Sequence, residues 1–305
     1  MIGYDRLGSN GRFGNQLFQY AALRGIADKH GYDWCIPPES QSSQSNYAIH
    51  DAFKLNHLTE ANIGFINKDV SSRAYYSFEN LCALNPETRN VTESSYRFDE
   101  DMFNNFEDNT NLDGYLQSYK YFEHIEEKIR SEFEFKDEIL NPCKEFISQF
   151  DKIIFLHIRR GDASRNPTRY PPMTLEYLNE ALDHFDKDTY VFVSSDDVEW
   201  CKNQDFLKDD RFLIRDEVEK YQHVSKEGDG EYHQSCVPHT DLCLMSLCNG
   251  AILSRSTFAW WGAWLQKSEN KVIISPEPYN FVSLGLDSSD VVPDSWIKLS
   301  KGVIG

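Results

Sequence analysis

The sequence predicts an α/β fold whose C-terminal half contains a parallel sheet. Short, continuous apolar runs at 152–158, 190–193 and 271–275 are typical of strands that are buried on both faces. Helical segments such as 241–248 lie between these runs. Because strands and helices alternate, a parallel sheet with right-handed crossovers is expected. We therefore place a Rossmann-like domain at about 151–275, with 271–275 as its last strand.

Composition sets the limits on the class of protein. The 305 residues suffice for one large domain or two ordinary ones, and 40% hydrophobic residues provide a sizeable core. The formal net charge of −18 repels phosphate polyanions, so nucleic acid is not an expected partner. No apolar run approaches the roughly 20 residues of a membrane span, and the N-terminus lacks the layout of a signal peptide. None of the seven cysteines forms a CxxC pair. We therefore expect a cytoplasmic protein with buried free thiols and at most peripheral contact with a membrane.

The remaining elements follow the same alternation. The N-terminal third opens with a short strand at 2–7 and a helix at 17–30, which Gly31 ends. Thr174 is a suitable N-cap for a helix through about residue 185. The other predicted elements of the C-terminal half are helices at 198–207 and 257–268 and strands at 211–214 and 250–254.

Two polar stretches interrupt the N-terminal half. Residues 37–50 are rich in Pro and Ser, and residues 85–111 are acidic and rich in Asn with weak periodicity. The first is predicted to be a long surface loop. The second fits a substrate-facing insert or a plain solvated loop equally well.

A glycine-punctuated loop, GSNGRFGNQ at 8–16, precedes the first helix. Such a loop can present backbone N–H groups and the positive end of a helix dipole to an anion. Gly8, Gly11 and Gly14 are spaced three apart, which is not the G-x-G-x-x-G spacing of dinucleotide sites. A turn that needs only a positive φ explains the loop equally well.

A second candidate, His157-Ile158-Arg159-Arg160-Gly161-Asp162, lies at the C-terminal end of a buried strand, where ligands of open α/β sheets bind. Arg165 and Arg169 follow closely. Guanidinium groups bind phosphate oxygens in a bidentate manner, which suits a pyrophosphate. Surface arginines paired with the abundant carboxylates are the alternative, but pairing does not explain their place at a strand end.

Two further segments follow later strands. Ser194-Ser195-Asp196-Asp197 could accept hydrogen bonds from a ribose diol or a guanine edge, or could simply cap the next helix. Residues 254–262 begin with hydroxyls at the head of a helix, a second possible anion cradle, and we expect Trp260 and Trp261 to pack in the core.

A metal site is not predicted. Asp99-Glu100-Asp101 and Asp186-Lys187-Asp188 match the D-x-D pattern of some metal-dependent glycosyltransferases. With 26 Asp in the chain, chance alone explains them, and neither follows a clear buried strand. The arginine cluster can stabilise a leaving group instead.

Four segments resemble the signature segments of one enzyme family. They are GRFGNQLFQYAALRGIA, HIRRGD, FVSSDDVEWCKN and HTDLCLMSLCNGAILSRSTFAWWGAWL. Together they resemble the α-1,2-fucosyltransferases of glycosyltransferase family 11, in the family's order, from about residue 8 to residue 280. The HxRRxD motif alone is shared with α-1,6- and protein O-fucosyltransferases, whereas the FGNQLFQYA and STFAWWGAWL segments are specific. Arg255 stands where many members have Asn, which would adjust the phosphate pocket.

The resemblance implies a GT-B-like architecture, with two Rossmann-like α/β domains and a cleft between them. Residues 1–150 would form the acceptor-side domain, and residues 151–305 the domain that binds GDP-β-L-fucose. The implied reaction is inverting transfer of L-fucose to the 2-hydroxyl of a galactose-terminated glycan, without a metal or other cofactor.

The resemblance also implies residue roles. Arg159 would stabilise the departing GDP oxygen, and Asn15 would act with it near the pyrophosphate or fucose. His157 and Asp197 would contact the guanosine portion. No general base is assigned, and several acidic residues, His233 and His239 stay candidates. The other expected donor-binding residues are Arg12, Phe13, Gly14, Arg160, Asp162, Ser195, Asp196, Ser254, Ser256, Thr257 and Phe258.

Three alternatives remain at this point. Another linkage, such as protein O-fucosylation, would use the same donor. A nucleotide-linked oxidoreductase would show the same alternation of strands and helices, but this chain lacks the G-x-G-x-x-G motif of such enzymes. A carbohydrate-binding module could use the 16 Tyr and 6 Trp as stacking platforms, yet needs no arginine cluster at a strand end. The exact acceptor glycan and the oligomeric state are not predicted.

Overall fold

The computed structural model describes residues 1–8, 10–39, 48–63, 89–161, 164, 167, 171–214, 238–279 and 287–300. The chain forms two compact units, Met1–Lys136 and Asp137–Gly305. The sequence predicts a division after residue 150, just before the first buried strand of the C-terminal sheet. The structure divides the chain earlier because the helix Asp137–Ile147 packs on a helix of the second unit, Pro238–Leu247.

A parallel sheet lies in the first unit. Within the described residues, the strand order is β2-β1-β4-β3, and every pairing is parallel. The strands are β1 (Ile2–Gly3), β2 (Trp34–Cys35), β3 (Arg89–Thr92) and β4 (Thr110–Asp113). The helices are α1 (Phe13–His30), α2 (Ile49–Ala52), α3 (Glu100–Asn105) and α4 (Glu126–Glu132).

Helix α1 begins four residues before the predicted start, so Phe13, Gly14 and Asn15 lie in its first turn rather than in a loop. The predicted end is confirmed: Gly31 has a φ of 69° and its N–H bonds to carbonyls of the last turn. The predicted loop at 8–16 therefore ends at Arg12, the N-cap residue.

The described part of 85–111 contains regular structure, whereas the sequence left open a substrate-facing insert or a plain solvated loop. Strand β3, helix α3 and the start of β4 lie there. Asp99 caps α3 by accepting a hydrogen bond from the N–H of Met102 at 2.8 Å. The polar character of β4 concealed it, because the buried Asn111 is paired with other polar groups instead of being apolar. Of the predicted loop at 37–50, residues 40–47 lie outside the described residues, and residues 49–50 begin α2.

The second unit has a larger parallel sheet. Its described strands are ordered β10-β9-β8-β5-β6-β7. They are β5 (Ile153–Ile158), β6 (Tyr190–Ser195), β7 (Phe212–Ile214), β8 (Gly250–Ile252), β9 (Val272–Pro276) and β10 (Ile297–Leu299). The helices are α5 (Asp137–Ile147), α6 (Leu175–Leu182), α7 (Val198–Lys202), α8 (Pro238–Leu247) and α9 (Thr257–Trp264).

Most predicted elements of this unit are confirmed: α6, α7 and α9 end earlier than predicted, and α8 begins three residues earlier. Thr174 caps α6 through its hydroxyl, which accepts from the N–H of Tyr177 at 3.1 Å. The prediction that 271–275 is the last strand was wrong, because β10 pairs with β9 at the edge of the sheet. Its three residues are too few to reveal alternation.

The core of the second unit includes both predicted tryptophans. Trp260 and Trp261 are fully buried, which confirms their interpretation as core residues. The indole N–H of Trp260 donates to the carbonyl of Val291 at 2.7 Å. In the part of the chain that the structure describes, no helix has the length and apolar character needed to cross a membrane.

Candidate active site

The strand order creates a topological switch point beside β5. From β5 the chain continues to β6 and β7 on one side, and it then crosses to β8, β9 and β10 on the other. In open parallel sheets, ligands bind at such a point, beyond the carboxyl ends of the strands. The structure brings three predicted segments to this edge, because β5 pairs with both β6 and β8. They are 157–161, 194–197 and 254–258.

Arg160 is held by both carboxylates that follow β6. Its Nε donates to Asp197 Oδ2 at 3.1 Å, and its main-chain N–H donates to Asp196 Oδ1 at 2.7 Å. The Arg160 guanidinium also lies over the Trp200 ring, 4.0 Å from the centroid. Gly161 permits this approach, since a Cβ there would lie 2.5 Å from Asp196 Oδ2. The pairing of arginine with carboxylate, which the sequence left open, therefore occurs at Arg160.

Asp197 also caps α7, which is the second of the two roles that the sequence suggests for residues 194–197. Its Oδ1 accepts from the N–H of Trp200 at 3.1 Å. The Ser195 hydroxyl accepts a hydrogen bond from the N–H of Asp197 at 3.0 Å. The Cys201 thiol is hydrogen-bonded to the Ser195 side chain. Burial raises the pKa of Cys201 to about 11, so this cysteine is a protonated thiol at neutral pH.

His157 links β5 to the segment after β8. Its Nδ1 lies 2.7 Å from Ser254 Oγ, and its ring lies 6.0 Å from the ring of Phe258 in the first turn of α9. The imidazole is only 6% exposed. On the neighbouring strand, Ser194 donates to the buried carboxylate of Asp241 at 2.9 Å.

Arg159 is oriented by the same segment. Its Nη1 donates to the main-chain carbonyl of Arg255 at 3.0 Å. Ser256 follows as the N-cap of α9, and its hydroxyl does not cap the helix. The Tyr279 hydroxyl donates to the Ser256 carbonyl at 2.6 Å, which fixes the backbone at the head of α9. Thr257 and Phe258 lie in the first turn of this helix.

The predicted residues of the first unit surround the start of α1. Gly11 has a φ of 89°, and a Cβ there would lie 2.3 Å from Asn15 Nδ2. Asn15 Oδ1 accepts from Gln117 Nε2 at 3.1 Å. Arg12 is the N-cap, and its carbonyl accepts from the N–H of Asn15 at 2.8 Å. The Phe13 side chain is buried and lies against the ring of Phe53. Gly14 is buried inside the helix.

Polar groups also gather at the carboxyl edge of the first sheet. Asp5, after β1, accepts from Asn111 Nδ2 at 3.0 Å, and burial raises the pKa of Asp5 to about 6. Glu93, after β3, accepts from the N–H groups of Tyr115 and Leu116 at 2.8 and 3.1 Å. Burial raises the pKa of Glu93 to about 7.

Four predicted positions lie outside the described residues: Asp162, Arg165, Arg169 and His233. Sequence reasoning missed three residues at the edge of the second sheet, namely Trp200, Asp241 and Tyr279. For Asp241 a signal existed, because a single carboxylate in an apolar helix indicates a buried polar partner. Among the described residues, no three His, Cys, Asp or Glu side chains are grouped as metal ligands.

Comparison with known proteins agrees with this architecture. The family description "Glycosyl transferase family 11" matches residues 4–298. An α-1,2-colitosyltransferase of Escherichia coli is 27% identical, over 95% of this chain and 97% of the relative. Human galactoside α-(1,2)-fucosyltransferase 1 is 29% identical over 84% of this chain. That alignment covers 64% of the human protein, so the chain spans less than two thirds of its length.

A solved structure of Arabidopsis thaliana FUT1, a mutant in complex with GDP, has a similar fold. The TM-score is 0.51 at 12% identity, over 96% of this chain and 74% of that one. The molecule is therefore an α/β enzyme of the glycosyltransferase class with a GT-B-like fold, as predicted. The chain belongs to glycosyltransferase family 11.

Proposed function

We propose that the protein transfers L-fucose from GDP-β-L-fucose to the 2-hydroxyl of a galactoside, with inversion at the anomeric carbon. One observation supports this most strongly: Arg159 and Arg160 meet the Ser195–Asp197 and Ser254–Phe258 segments at the switch point of the second sheet. This edge offers cations, hydroxyls and a helix N-terminus to a diphosphate, and carboxylates to a nucleoside.

Arg159 is the proposed electrostatic catalyst. When the bond from fucose C1 to the GDP oxygen breaks, C1 gains oxocarbenium character and the oxygen gains negative charge. A guanidinium that is already oriented, here by the Arg255 carbonyl, stabilises that charge without reorganising. Ser256 and Thr257, at the head of α9, would bind the same diphosphate.

In this proposal, His157 and Asp197 contact the nucleoside part of the donor. His157 is fixed by Ser254, and Asp197 by Arg160 and the first turn of α7. Because these polar groups are already fixed, they can bind a guanine edge or a ribose diol with little further loss of conformational entropy. Arg160, Ser195 and Asp196 would act mainly by holding this geometry.

Asn15 is proposed as a second contact of the fucosyl diphosphate, from the first unit. Its side chain is already ordered by Gln117 and by the close approach of Gly11. Arg12, Phe13 and Gly14 would contribute backbone groups near the start of α1. The residue that removes the proton of the acceptor hydroxyl is not assigned.

Transfer is proposed to proceed without a metal ion, since the arginines can stabilise the leaving diphosphate. The acceptor would be a galactose-terminated glycan. A cytoplasmic location, with at most peripheral contact with a membrane, stays a prediction from the sequence.

The test combines binding and turnover on the purified chain. Calorimetry with GDP, GDP-fucose, NADH and plain galactosides separates a fucosyltransferase from an oxidoreductase and from a carbohydrate-binding module. Radiolabelled GDP-fucose is then offered with lactose, N-acetyllactosamine or a galactosyl-β-1,3 acceptor. We expect GDP binding and transfer to at least one galactoside. Binding of NADH would contradict the proposal, and so would a chain that binds galactosides but does not bind GDP. Transfer to a protein acceptor alone would also contradict it.

One comparison favours a second donor. The relative from E. coli that matches 95% of the chain is named an α-1,2-colitosyltransferase. Colitose is the 3-deoxy form of L-fucose, so GDP donors of the two sugars would differ at one hydroxyl. A site that hydrogen-bonds this hydroxyl discriminates strongly against the analogue without it. We expect a higher kcat/KM with GDP-fucose, and the reverse preference would reassign the donor sugar.

A further inference from the structure

A buried arginine with an unused donor nitrogen lies at the edge of the second sheet. Arg255 follows β8 and is only 8% exposed. Its Nε donates to the carbonyl of Pro278 at 2.9 Å, whereas its Nη2 is buried without a hydrogen-bond partner. No described carboxylate forms an ion pair with this guanidinium. The resemblance implies that Arg255 adjusts the phosphate pocket, but Arg255 was not assigned as a donor-binding residue.

The described residues around Arg255 offer no compensating negative charge. Among the described residues, the titratable groups that act on Arg255 are the phenols of Tyr177 and Tyr279. Burial raises the pKa of both phenols, so both are neutral at physiological pH. Burial also lowers the pKa of Arg255 itself, which reflects the cost of a desolvated cation. A bound anion with oxygen acceptors would offset this cost.

The position of Arg255 selects the kind of anion. Its carbonyl holds Arg159, and the next residue, Ser256, begins helix α9. Two arginines, one after β5 and one after β8, and a helix N-terminus therefore lie at the same edge of the sheet. Planar guanidinium groups and helix N-termini both favour phosphate oxygens.

We propose that Arg255 binds the diphosphate of the sugar-nucleotide donor through Nη2, as a donor-binding residue in addition to Arg159. The inference rests on the proposed function, which supplies the GDP group. It also gives the buried guanidinium of Arg255 a specific task in this chain.

The test compares ligands with and without phosphate. The variants are Arg255→Met, which removes the charge, and Arg255→Lys, which keeps it. Lys152→Met is the matched control, because Lys152 precedes β5 at the opposite edge of the same sheet and pairs with the exposed Asp186. Calorimetry gives the Kd for GDP and for guanosine, and thermal unfolding without ligand gives Tm.

We expect Arg255→Met to raise the Kd for GDP roughly 10- to 100-fold, the range for one charge-assisted hydrogen bond, and the Kd for guanosine less than twofold. Arg255→Lys should give an intermediate Kd for GDP, and Lys152→Met should match the wild type. The unliganded Tm of Arg255→Met should stay the same or rise, because an unpaired buried charge has been removed.

A fall in Tm with an unchanged preference for GDP over guanosine would overturn the inference, since Arg255 would then only anchor Pro278. The proposed function is judged separately, by fucose transfer with the wild type. If the wild type transfers fucose while Arg255→Met keeps its preference for GDP, only this inference fails. If the wild type binds no GDP, both fail.

Discussion

The Arg159 side chain donates a hydrogen bond to the main-chain carbonyl of Arg255, 96 residues later in the sequence. The bond joins the segment after β5 to the segment after β8, the two strands that flank the switch point. It fixes one nitrogen of the Arg159 guanidinium. The bond therefore orients this cation beyond the carboxyl end of β5, the edge at which open parallel sheets generally bind ligands.

Replacing Arg159 by Lys tests its catalytic role. Lysine keeps the charge but has a single ammonium group, so it cannot bond the Arg255 carbonyl and bind an oxygen with the same planar geometry. We expect turnover to fall by about 10²–10³, or roughly 2.7–4 kcal/mol, with a smaller change in GDP affinity. Steady-state kinetics and calorimetry give both quantities.

Arg211→Lys is the control for that substitution. Arg211 also donates from Nη1 to a main-chain carbonyl, that of Lys187, but it lies at the other end of the strands, before β7. Its replacement should leave turnover within about twofold of wild type. Near wild-type turnover of Arg159→Lys would remove Arg159 from the mechanism.

Asn15 has a structural bond to Gln117, which allows its two roles to be separated. Asn15→Ala and Gln117→Ala each delete this bond and should each cost about 1 kcal/mol of unfolding free energy. If Asn15 contacts the donor, only Asn15→Ala also loses turnover. Thermal unfolding and kinetics on the two variants therefore distinguish the roles.

Asn15→Asp sharpens this comparison. An aspartate can still accept from Gln117, and a carboxylate in the first turn of α1 suits the helix dipole. We therefore expect a stable fold, nearly complete loss of transfer through repulsion of the diphosphate, and a smaller loss of GDP affinity. A folded Asn15→Asp variant with wild-type turnover would assign this residue to structure alone.

Chelation tests the proposal that arginines alone stabilise the leaving group. Transfer rates in excess EDTA, in Mg²⁺ and in Mn²⁺ should agree within about twofold, since guanidinium groups supply the charge that a metal would otherwise supply. Loss of activity in EDTA that Mn²⁺ restores would contradict the proposal.

Asp5 predicts a pH-dependent stability in the first unit. Burial raises its pKa from 3.8 to about 6, so the folded state favours the protonated acid. The stabilisation is complete below the unfolded pKa and is lost as pH rises through about 6. Relative to Asp5→Asn, the unfolding free energy of the wild type should fall by up to about 3 kcal/mol between pH 4 and pH 7.

Chemical denaturation across that pH range measures this difference. Asp294→Asn is the control, because the Asp294 side chain is almost fully exposed and pairs with Lys298 on the surface. If the difference between wild type and Asp5→Asn is constant with pH, the buried carboxyl does not titrate as argued.

The sequence predicts strands well where burial is complete. All six residues of β5 are buried, so its apolar run identified it directly. Strand β4 was missed because Asn111 and Thr110 are buried yet polar, and their hydrogen bonds to distant residues leave no pattern in the sequence. At the start of α1, Gly11 takes the positive φ that glycine suggests, whereas Gly14 is helical, so the loop prediction extended too far.

The sequence predicts the segments of the candidate site but not the hydrogen bonds that join them. The end of each strand could be inferred, and parallel strands bring those ends to one edge. That β5 lies between β6 and β8 depends on strand order, which the apolar runs do not encode. The bonds from Arg159 to Arg255 and from His157 to Ser254 follow from that order, as does the burial of Arg255.

The most direct test of the proposed function is the structure of the product formed from GDP-β-L-fucose and a galactoside, determined by NMR. A parallel reaction uses the 2-deoxygalactoside, which lacks only the reacting hydroxyl. We predict a single α-linked fucose on O2 of galactose and no transfer to the 2-deoxy acceptor. Fucose on another hydroxyl, a β-linkage, or equal transfer to the 2-deoxy acceptor would contradict the proposed reaction.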